Sequence, residues 1–386
     1  MSQVNEAMQT LTAQWYNALV TGLGLSDQSF QLYQGPNTMV DTSQLMWNIF
    51  NAVPPKAVNN YYDPTQANNF TGVYGLILDA LVANPDTSFK NCMGDYYDVW
   101  QAYLKANKPE KLNAKTISSL FNDWAMVNAP EKASCVAGLT KAYINPVNVA
   151  NLMYLTADNS YAWNKTIENL EKALKSGAYK EFTLNSTTES SNTEHTWAGG
   201  RASVFFDLFS FGGGGSYDKV TTKATSAGIE ISATFGSVTT FAAGPYTQYD
   251  AQDPTLCDYS AWYNSAVMAL AYTTKGPKVW NPEKPSNWDN IFGDKGTLQR
   301  MATALVVGDD ITIKMKSKAD YSSSEQTQIR AAAKLGFWPF FRASGGGGTD
   351  YDVQFKDDGT FECTTIIKRG NPQILGILQT PMANVF

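Results

Sequence analysis

The side chains that could perform acid–base or nucleophilic chemistry are few and lie far apart. His195 is the only histidine and follows Glu194 in a polar stretch, so we interpret it as a surface side chain and not as the base of a catalytic triad. The cysteines show no CxxC spacing: Cys92, Cys135, Cys257 and Cys363. Zinc, haem and iron–sulfur centres require clustered ligands of these types, so the pattern predicts no metal site and no cofactor.

The oxidation state of the four cysteines has two interpretations. An even number is compatible with disulfides, whereas a chain of 386 residues can bury a complete core without covalent cross-links. Free cysteine behaves as a small hydrophobic residue. We therefore favour four buried thiols.

Carboxylates supply the remaining candidates for catalysis. Catalytic carboxylates converge across a cleft, whereas neighbours in sequence point apart, so we interpret Asp309-Asp310 and Asp357-Asp358 as turn residues. Asp95 and Asp98 lie about one helical turn apart beside aromatic residues, which suits a sugar subsite. We favour the simpler interpretation that they lie on a solvated helix face.

An internal repeat is the most informative feature of the chain. Residues 190–220 and 323–353, which we call the first and second arms, align without gaps at an offset of 133 residues. The alignment superimposes two serines and four consecutive glycines, and such repetition predicts two copies of one structural unit. Neither arm contains a GxxxxGK[ST] or GxGxxG pattern, so the glycines do not predict a nucleotide-binding loop.

Each arm concentrates large apolar side chains in front of its glycines. Leaving five such side chains in water costs about 10 kcal/mol, which is comparable to the stability of a whole domain. Each cluster must therefore be covered by its own sheet, by a second subunit or by lipid. The residues that we expect to contact a membrane or a subunit are Phe205, Phe206, Phe209, Phe211, Phe337, Trp338, Phe340 and Phe341.

The four glycines of each arm predict a hinge, because they provide no side-chain anchor and large backbone freedom. The hinge residues are Gly212, Gly213, Gly214, Gly215, Gly345, Gly346, Gly347 and Gly348. Asp207 lies within the first aromatic cluster, where a carboxylate is costly in hydrocarbon. The second arm is therefore the better candidate for lipid contact.

Helical periodicity dominates residues 1–180. Apolar residues recur every three to four positions from Val4 to Leu19 and from Phe70 to Leu81, which predicts two amphipathic helices. Further helices are predicted at residues 42–51, 89–105, 115–127, 146–155 and 160–176, and Gly177 is predicted to take the left-handed conformation after the last one. We expect six or seven short helices packed as a bundle.

The period changes to two after residue 180. Strands at residues 181–185 and 228–241 are predicted on either side of the first arm. Strands at residues 311–316 and 360–367 flank the second arm, and Gly359 favours a hairpin of residues 353–356 with 360–367. Between the two arms, Asp258 is predicted to cap a helix that runs to Tyr272.

The composition excludes several classes of protein. Charged residues make up 17% of the chain and the net charge is −6, so no basic stripe is available for nucleic acid. The N-terminal residues lack the basic start and apolar core of a secretory signal peptide, and no apolar window of about 20 residues predicts a transmembrane helix. We expect a protein made in soluble form, which is cytoplasmic or exported by a route without a signal peptide.

The sequence thus predicts an α+β protein with a helical domain at residues 1–180 and a β-rich domain at residues 181–386, which contains two strand-arm-strand units. This layout is similar to that of pore-forming proteins, in which two soluble segments between sheet strands rearrange on a membrane, although no WGTH-like signature occurs. We expect a non-enzymatic, self-associating, membrane-active protein.

The sequence is also compatible with two alternative functions. The first is a structural protein whose arms join subunits into a filament, lattice or crystal. The second is a carbohydrate-binding protein or glycosidase built around Asp95 and Asp98, with a glycan as its partner.

Overall fold

The computed structural model describes residues 3–33, 39–55, 62, 64, 68–82, 87–107, 114–142, 147, 150–151, 154, 161–187, 222–224, 226–246, 262–333, 349–358 and 360–386. Over these residues the protein combines helices with antiparallel sheet, which confirms the α+β class.

The described helices lie mostly before the sheet strands in the chain. They are α1 (Gln3–Leu23), α2 (Ser43–Asn51), α3 (Phe70–Ala80), α4 (Thr87–Met93), α5 (Tyr96–Ala106), α6 (Ala114–Asn128), α7 (Val136–Ala142), α8 (Ile167–Lys175), α9 (Ser265–Thr273), α10 (Trp288–Phe292) and α11 (Ser323–Ala333). Two 3-10 helices are described at Pro130–Cys135 and Met382–Asn384.

Seven strands of the described chain form one sheet. They are β1 (Phe30–Leu32), β2 (Ala178–Asn185), β3 (Ile229–Ala242), β4 (Arg300–Lys318), β5 (Thr349–Phe355), β6 (Thr360–Ile367) and β7 (Gln373–Pro381). The main order is β1-β7-β4-β3-β2, and β6 pairs with both β4 and β5. Strand β4, at 19 residues, is therefore the organising strand, because β3, β6 and β7 all pair with it.

The chain divides into two compact units, each made of non-contiguous segments. The first unit comprises residues 1–66, 167–242 and 302–380, and the second comprises residues 67–166, 243–301 and 381–386. Neither unit corresponds to residues 1–180 or 181–386, because the helices of the first half are shared between the two units.

One face of the sheet forms the core of the first unit. The alternating apolar residues of β3 are buried, including Ile231 and Phe235. Helix α1 covers this face with Trp15, whose ring stacks on Phe235 at 6.0 Å between centroids and meets the edge of Phe182 at 5.6 Å. Burying these large rings in contact with each other stabilises the attachment of α1 to the sheet.

Several predicted elements are confirmed. Helices α1, α2, α3 and α6 lie where the apolar spacing placed them, and Asn69 caps α3 by accepting a hydrogen bond from the Gly72 N–H. Strands β5 and β6 pair as the predicted antiparallel hairpin. These elements carry both their periodicity and their boundary signals in the local sequence.

Three predicted helices differ from the observed ones. The helix predicted at residues 89–105 is two helices, α4 and α5, because Gly94 takes a φ of +55° between them. The helix predicted from residue 160 begins at Ile167. The helix predicted from Asp258 begins at Ser265 with Asn264 as its cap, and Asp258 lies outside the described residues, as does much of the predicted helix at 146–155.

The prediction for Gly177 is wrong. Its φ is not in the left-handed region, and glycine is required there for space. A Cβ atom at this position would lie 2.0 Å from the Ser237 Oγ and 3.0 Å from the Val238 carbonyl oxygen. The glycine therefore allows the chain leaving α8 to approach β3 closely.

The interpretation of four buried thiols is also wrong. Cys92 and Cys135 form a disulfide, with their Cα atoms 5.7 Å apart, that links α4 to the end of the 3-10 helix Pro130–Cys135. Cys363 is a buried free thiol in β6, and burial raises its pKa to about 12. Cys257 lies outside the described residues.

Candidate membrane and subunit contact site

The predicted contact and hinge residues lie outside the part of the chain that the structure describes. They are Phe205, Phe206, Phe209, Phe211, Phe337, Trp338, Phe340 and Phe341, together with Gly212, Gly213, Gly214, Gly215, Gly345, Gly346, Gly347 and Gly348. The structure does describe where both arms join the sheet, and this junction is the candidate site.

The first arm and the start of the second arm lie at the same end of the sheet. Strands β2 and β3 pair antiparallel across the first arm, and β3 begins opposite Ser317 near the end of β4, where the second arm leaves. The second arm returns as β5, whose first residue Thr349 pairs with Ile367 at the opposite end of β6. The end of β2, the start of β3 and the end of β4 are thus neighbours, whereas the glycines of the second arm precede a strand that starts at the other end of the sheet.

The offset of the repeat extends into the strand before each arm. Shifted by 133 residues, Ala178–Asn185 coincides with residues 311–318, which form the C-terminal part of β4. Apolar residues at alternate positions of both segments, such as Phe182 and Met315, are buried in the same core. Each arm is therefore preceded by a strand segment of eight residues with the same face buried.

Helix α1 is hydrogen-bonded to the end of β2, just before the first arm. The Gln14 Oε1 accepts a hydrogen bond from the Asn185 N–H at 2.7 Å, and the Gln14 Nε2 donates to the Asn185 carbonyl at 2.9 Å. The Asn185 Oδ1 in turn accepts from the Thr187 N–H at 2.9 Å and hydroxyl at 2.7 Å. This network satisfies backbone groups at the exposed edge of β2, where the sheet ends.

The return of the first arm is tied to the departure of the second. The Lys223 ammonium lies 2.8 Å from a Glu325 carboxylate oxygen and donates to the Asp320 carbonyl at 3.1 Å. The buried hydroxyl of Ser317 donates to the Ala224 carbonyl at 3.0 Å. The bases of the two arms therefore form one connected structure.

Glu325 has a second role at the N-terminus of α11. Its side chain accepts hydrogen bonds from the Ser322 N–H at 2.8 Å and the Ser322 hydroxyl at 2.9 Å. The donors on Lys223 and Ser322 lower the pKa of Glu325 to about 2. The carboxylate consequently stays ionised at every physiological pH and caps the helix in that form.

Helix α11, the first element of the second arm, packs on the β5–β6 hairpin. The Tyr321 ring meets the edges of Phe355 and Phe361, each at 5.9 Å between centroids, and burial raises the pKa of Tyr321 to about 12. The Arg330 guanidinium lies 4.9 Å from the centre of the Phe355 ring, within the range of a cation–π contact. The base of the second arm thus has its own aromatic anchor.

Beside the C-terminal part of β4, the opposite face of the sheet is polar and carries a ladder of alternating charge. Glu230, Lys316 and Glu362 stand side by side on β3, β4 and β6. Lys356 lies 2.9 Å from Glu362 and is the main reason why the pKa of Glu362 is lowered. Opposite charges on adjacent strands favour this register over a shifted one.

The interpretation of Asp309 and Asp310 as turn residues is wrong, since both lie within β4. The buried Asp309 carboxylate accepts hydrogen bonds from the N–H groups of Gly370 at 3.0 Å and Asn371 at 3.2 Å, which hold the turn between β6 and β7. Asp310 takes a φ of +56° opposite Gly236, where a Cβ atom would lie 2.4 Å from the Asp310 Oδ2. These residues hold a local irregularity in the central strands.

The other candidate residues show no convergent geometry. Asp358 lies in the β5–β6 turn as predicted, and its carboxylate accepts from the Thr360 N–H at 2.9 Å. Asp95 and Asp98 are exposed at the start of α5, as expected for a solvated helix face. His195 lies outside the described residues.

The sequence analysis missed the connection between the two arms. The Ser322-x-x-Glu325 pattern is a capping box that the sequence does display. The pairing of Lys223 with Glu325 spans 102 residues and has no local signal. Only the topology, which brings the two strand pairs together, creates this contact.

The described residues of the candidate site make structural contacts. No group of three or more His, Cys, Asp and Glu side chains among the described residues could hold a metal ion. No described helix combines the length and apolar character needed to cross a bilayer. Comparison with known proteins finds no match to a family model, a curated protein or a solved structure.

Proposed function

We propose that this is a non-enzymatic protein that associates with itself and acts on membranes, in the manner of pore-forming proteins, through its two arms. The observation that carries the proposal is where the two arms leave the sheet. Two segments with matched aromatic clusters and glycine runs follow β2 and β4, which both pair with β3 and end at the same end of one sheet.

The chemistry of the arms supports contact with lipid or another subunit. The aromatic residues at positions 337, 338, 340 and 341 bring apolar area that gains about 1.5–3 kcal/mol per side chain when it leaves water. Tryptophan, here Trp338, is favoured at the membrane–water interface, where its apolar ring and its polar N–H meet different surroundings. Two such segments give the protein two points of attachment to a surface.

The strands next to the arms form an amphipathic sheet, which favours the proposal of self-association. Their buried face packs on α1 and α11, and their exposed face bears the ladder of Glu230, Lys316 and Glu362. An antiparallel sheet with one apolar and one polar face is the pattern from which membrane-bound assemblies of strands are built.

Liposome flotation and dye release test the proposal. We expect the wild-type protein to float with liposomes and to release an entrapped dye. The double substitution Trp338→Ser plus Phe340→Ser should reduce the rate of release by about tenfold or more, because it removes two of the four aromatic side chains of the second arm.

A matched control removes exposed aromatic rings elsewhere. Tyr96 and Tyr179 are 36% and 63% exposed and lie outside both arms, so Tyr96→Ser plus Tyr179→Ser should leave release unchanged. Equal release by the wild-type protein and the arm variant would remove the arm from the mechanism.

Assembly without lipid would support the alternative structural role. Light scattering and negative-stain microscopy of the protein in buffer separate the two functions. Filaments or lattices that form without liposomes, and that the arm variant fails to form, would favour a protein that builds an ordered assembly.

A further inference from the structure

The second unit contains a cleft that the function of the arms does not use. It has a volume of about 640 Å³ and lies between the C-terminal end of α3 and residues 281–284. This volume falls within the range of sites for small molecules.

The wall of the cleft is held by backbone hydrogen bonds. The Val82 N–H donates to the Val279 carbonyl at 2.8 Å, and the Asn281 N–H donates to the Ala80 carbonyl at 2.9 Å. Between them, the buried Trp280 indole donates to two carbonyl groups at the end of α9, at 3.2 and 2.8 Å. The residues that line the cleft therefore stand on a fixed frame.

The rim of the cleft carries both hydrogen-bond donors and hydrogen-bond acceptors. The Asp79 Oδ1 lies 2.7 Å from the Lys284 ammonium, and their side chains are 62% and 39% exposed. The Asn281 Oδ1 accepts from the Glu283 N–H at 3.0 Å, which leaves its Nδ2 group as a donor. The Asn151 Nδ2 donates to the Val147 carbonyl at 3.1 Å, which leaves its Oδ1 as an acceptor.

The floor of the cleft is apolar. Leu78 and Leu81 are almost fully buried, whereas Val82 is 37% exposed and Pro282 is exposed beside it. A ligand that lies on this floor must present one apolar surface and direct its polar groups to the rim.

The charges of the cleft select against ionic ligands. Asp79 and Glu283 outnumber Lys284, so an anion would meet a net negative charge. The ammonium of Lys284 is already placed at the Asp79 carboxylate, where a ligand cation would bind. A neutral polyhydroxyl compound is the ligand class that fits the cleft, because each hydroxyl both donates and accepts hydrogen bonds and so matches the donors and acceptors of the rim.

We propose that this cleft binds a neutral hexose residue of a glycan. The apolar C–H face of the ring lies over Val82 and Pro282, and its hydroxyl groups bind Asp79, Lys284 and the two asparagine amides. The site is independent of the arms, and it gives the protein a means to recognise a glycan-bearing surface.

A neutral glycan array followed by isothermal titration calorimetry tests the site. We expect the wild-type protein to bind at least one neutral oligosaccharide. Asp79→Ala plus Lys284→Ala should weaken that binding by about tenfold or more, because the ligand hydroxyls lose their charged partners. Val82→Trp, which fills the cleft and keeps every polar group, should weaken it similarly.

The matched control removes an equivalent ion pair from the first unit. Lys356 and Glu362 lie 2.9 Å apart, and Lys356→Ala plus Glu362→Ala should leave the affinity unchanged. Failure of the wild-type protein to bind any neutral glycan, or full binding by the Val82→Trp variant, would overturn the proposal. A steep loss of affinity between about 50 and about 500 mM salt would also overturn it, because it would show an ionic ligand. None of these measurements requires a membrane, so they stand apart from the dye-release test.

Discussion

Asp309 holds the turn between β6 and β7 through its hydrogen bonds to Gly370 and Asn371. Removing the carboxylate leaves two backbone N–H groups without this partner, and an unsatisfied buried donor costs about 1–3 kcal/mol. We therefore expect Asp309→Ala to lower the free energy of unfolding by about this amount in urea titrations.

The exposed Asp357 provides the control for Asp309. It lies in the β5–β6 turn, and Asp357→Ala should change the free energy of unfolding by no more than about 0.5 kcal/mol. Equal effects of the two substitutions would show that the contacts of Asp309 do not hold the turn.

The close packing at Gly177 leads to a second prediction for a single residue. An added Cβ atom would collide with Ser237, whose hydroxyl donates to the Leu174 carbonyl at 2.5 Å. Gly177→Ala should therefore destabilise the protein by about 1–3 kcal/mol, as overpacking does elsewhere. Gly276 has open space around it, so Gly276→Ala should be neutral or slightly stabilising. Urea titrations of both variants check this difference in the free energy of unfolding.

At the scale of elements, α11 depends on an ionised cap. The pKa of Glu325 is about 2 in the folded protein, below its usual value of 4.5. A carboxyl whose pKa is lowered by folding contributes stability that is complete above 4.5 and is lost as the pH falls towards 2. Nuclear magnetic resonance titration of the Glu325 side chain should show this low midpoint.

Two substitutions separate the contributions to that midpoint. Lys223→Met should raise the pKa of Glu325 in part, because the donors of Ser322 remain. Glu325→Gln should remove this portion of the acid dependence of unfolding. A midpoint near 4.5 in the wild-type protein would contradict both the ion pair and the cap.

Local signals explain which elements could be predicted from the sequence. Helix α3 has an amphipathic face and the Asn69 cap, and the β5–β6 hairpin has its Asp-Asp-Gly turn. By contrast, β1 has only three residues, and β7 is buried at consecutive positions and so lacks the alternation that identifies a half-exposed strand. Contacts between distant segments, such as Lys223 with Glu325, depend on topology and leave no local pattern.

At the scale of the whole molecule, the second unit contains the described disulfide. Cys92 and Cys135 are 43 residues apart, and closing a loop of this length stabilises a protein by about 4 kcal/mol in the chain-entropy model. Reduction should therefore lower the unfolding temperature of the second unit and accelerate hydrogen exchange in α5 and α6, with little change in β3 and β4.

The double substitution Cys92→Ser plus Cys135→Ser is the control for reduction. This variant should unfold like the reduced wild-type protein and should not respond to a reducing agent. Uniform acceleration of exchange in both units would show that they do not unfold separately.

The pairing of β1 with β7 has a consequence for biosynthesis. Phe30 lies opposite Leu378, so β1 meets its partner only after about 350 further residues have been translated. At ribosomal speeds of about 5–20 residues per second, this delay lasts roughly 20–70 seconds. Throughout that interval β1 of a nascent chain lacks its partner strand beside the apolar face of α1, and exposed strand edges of this kind are prone to aggregation.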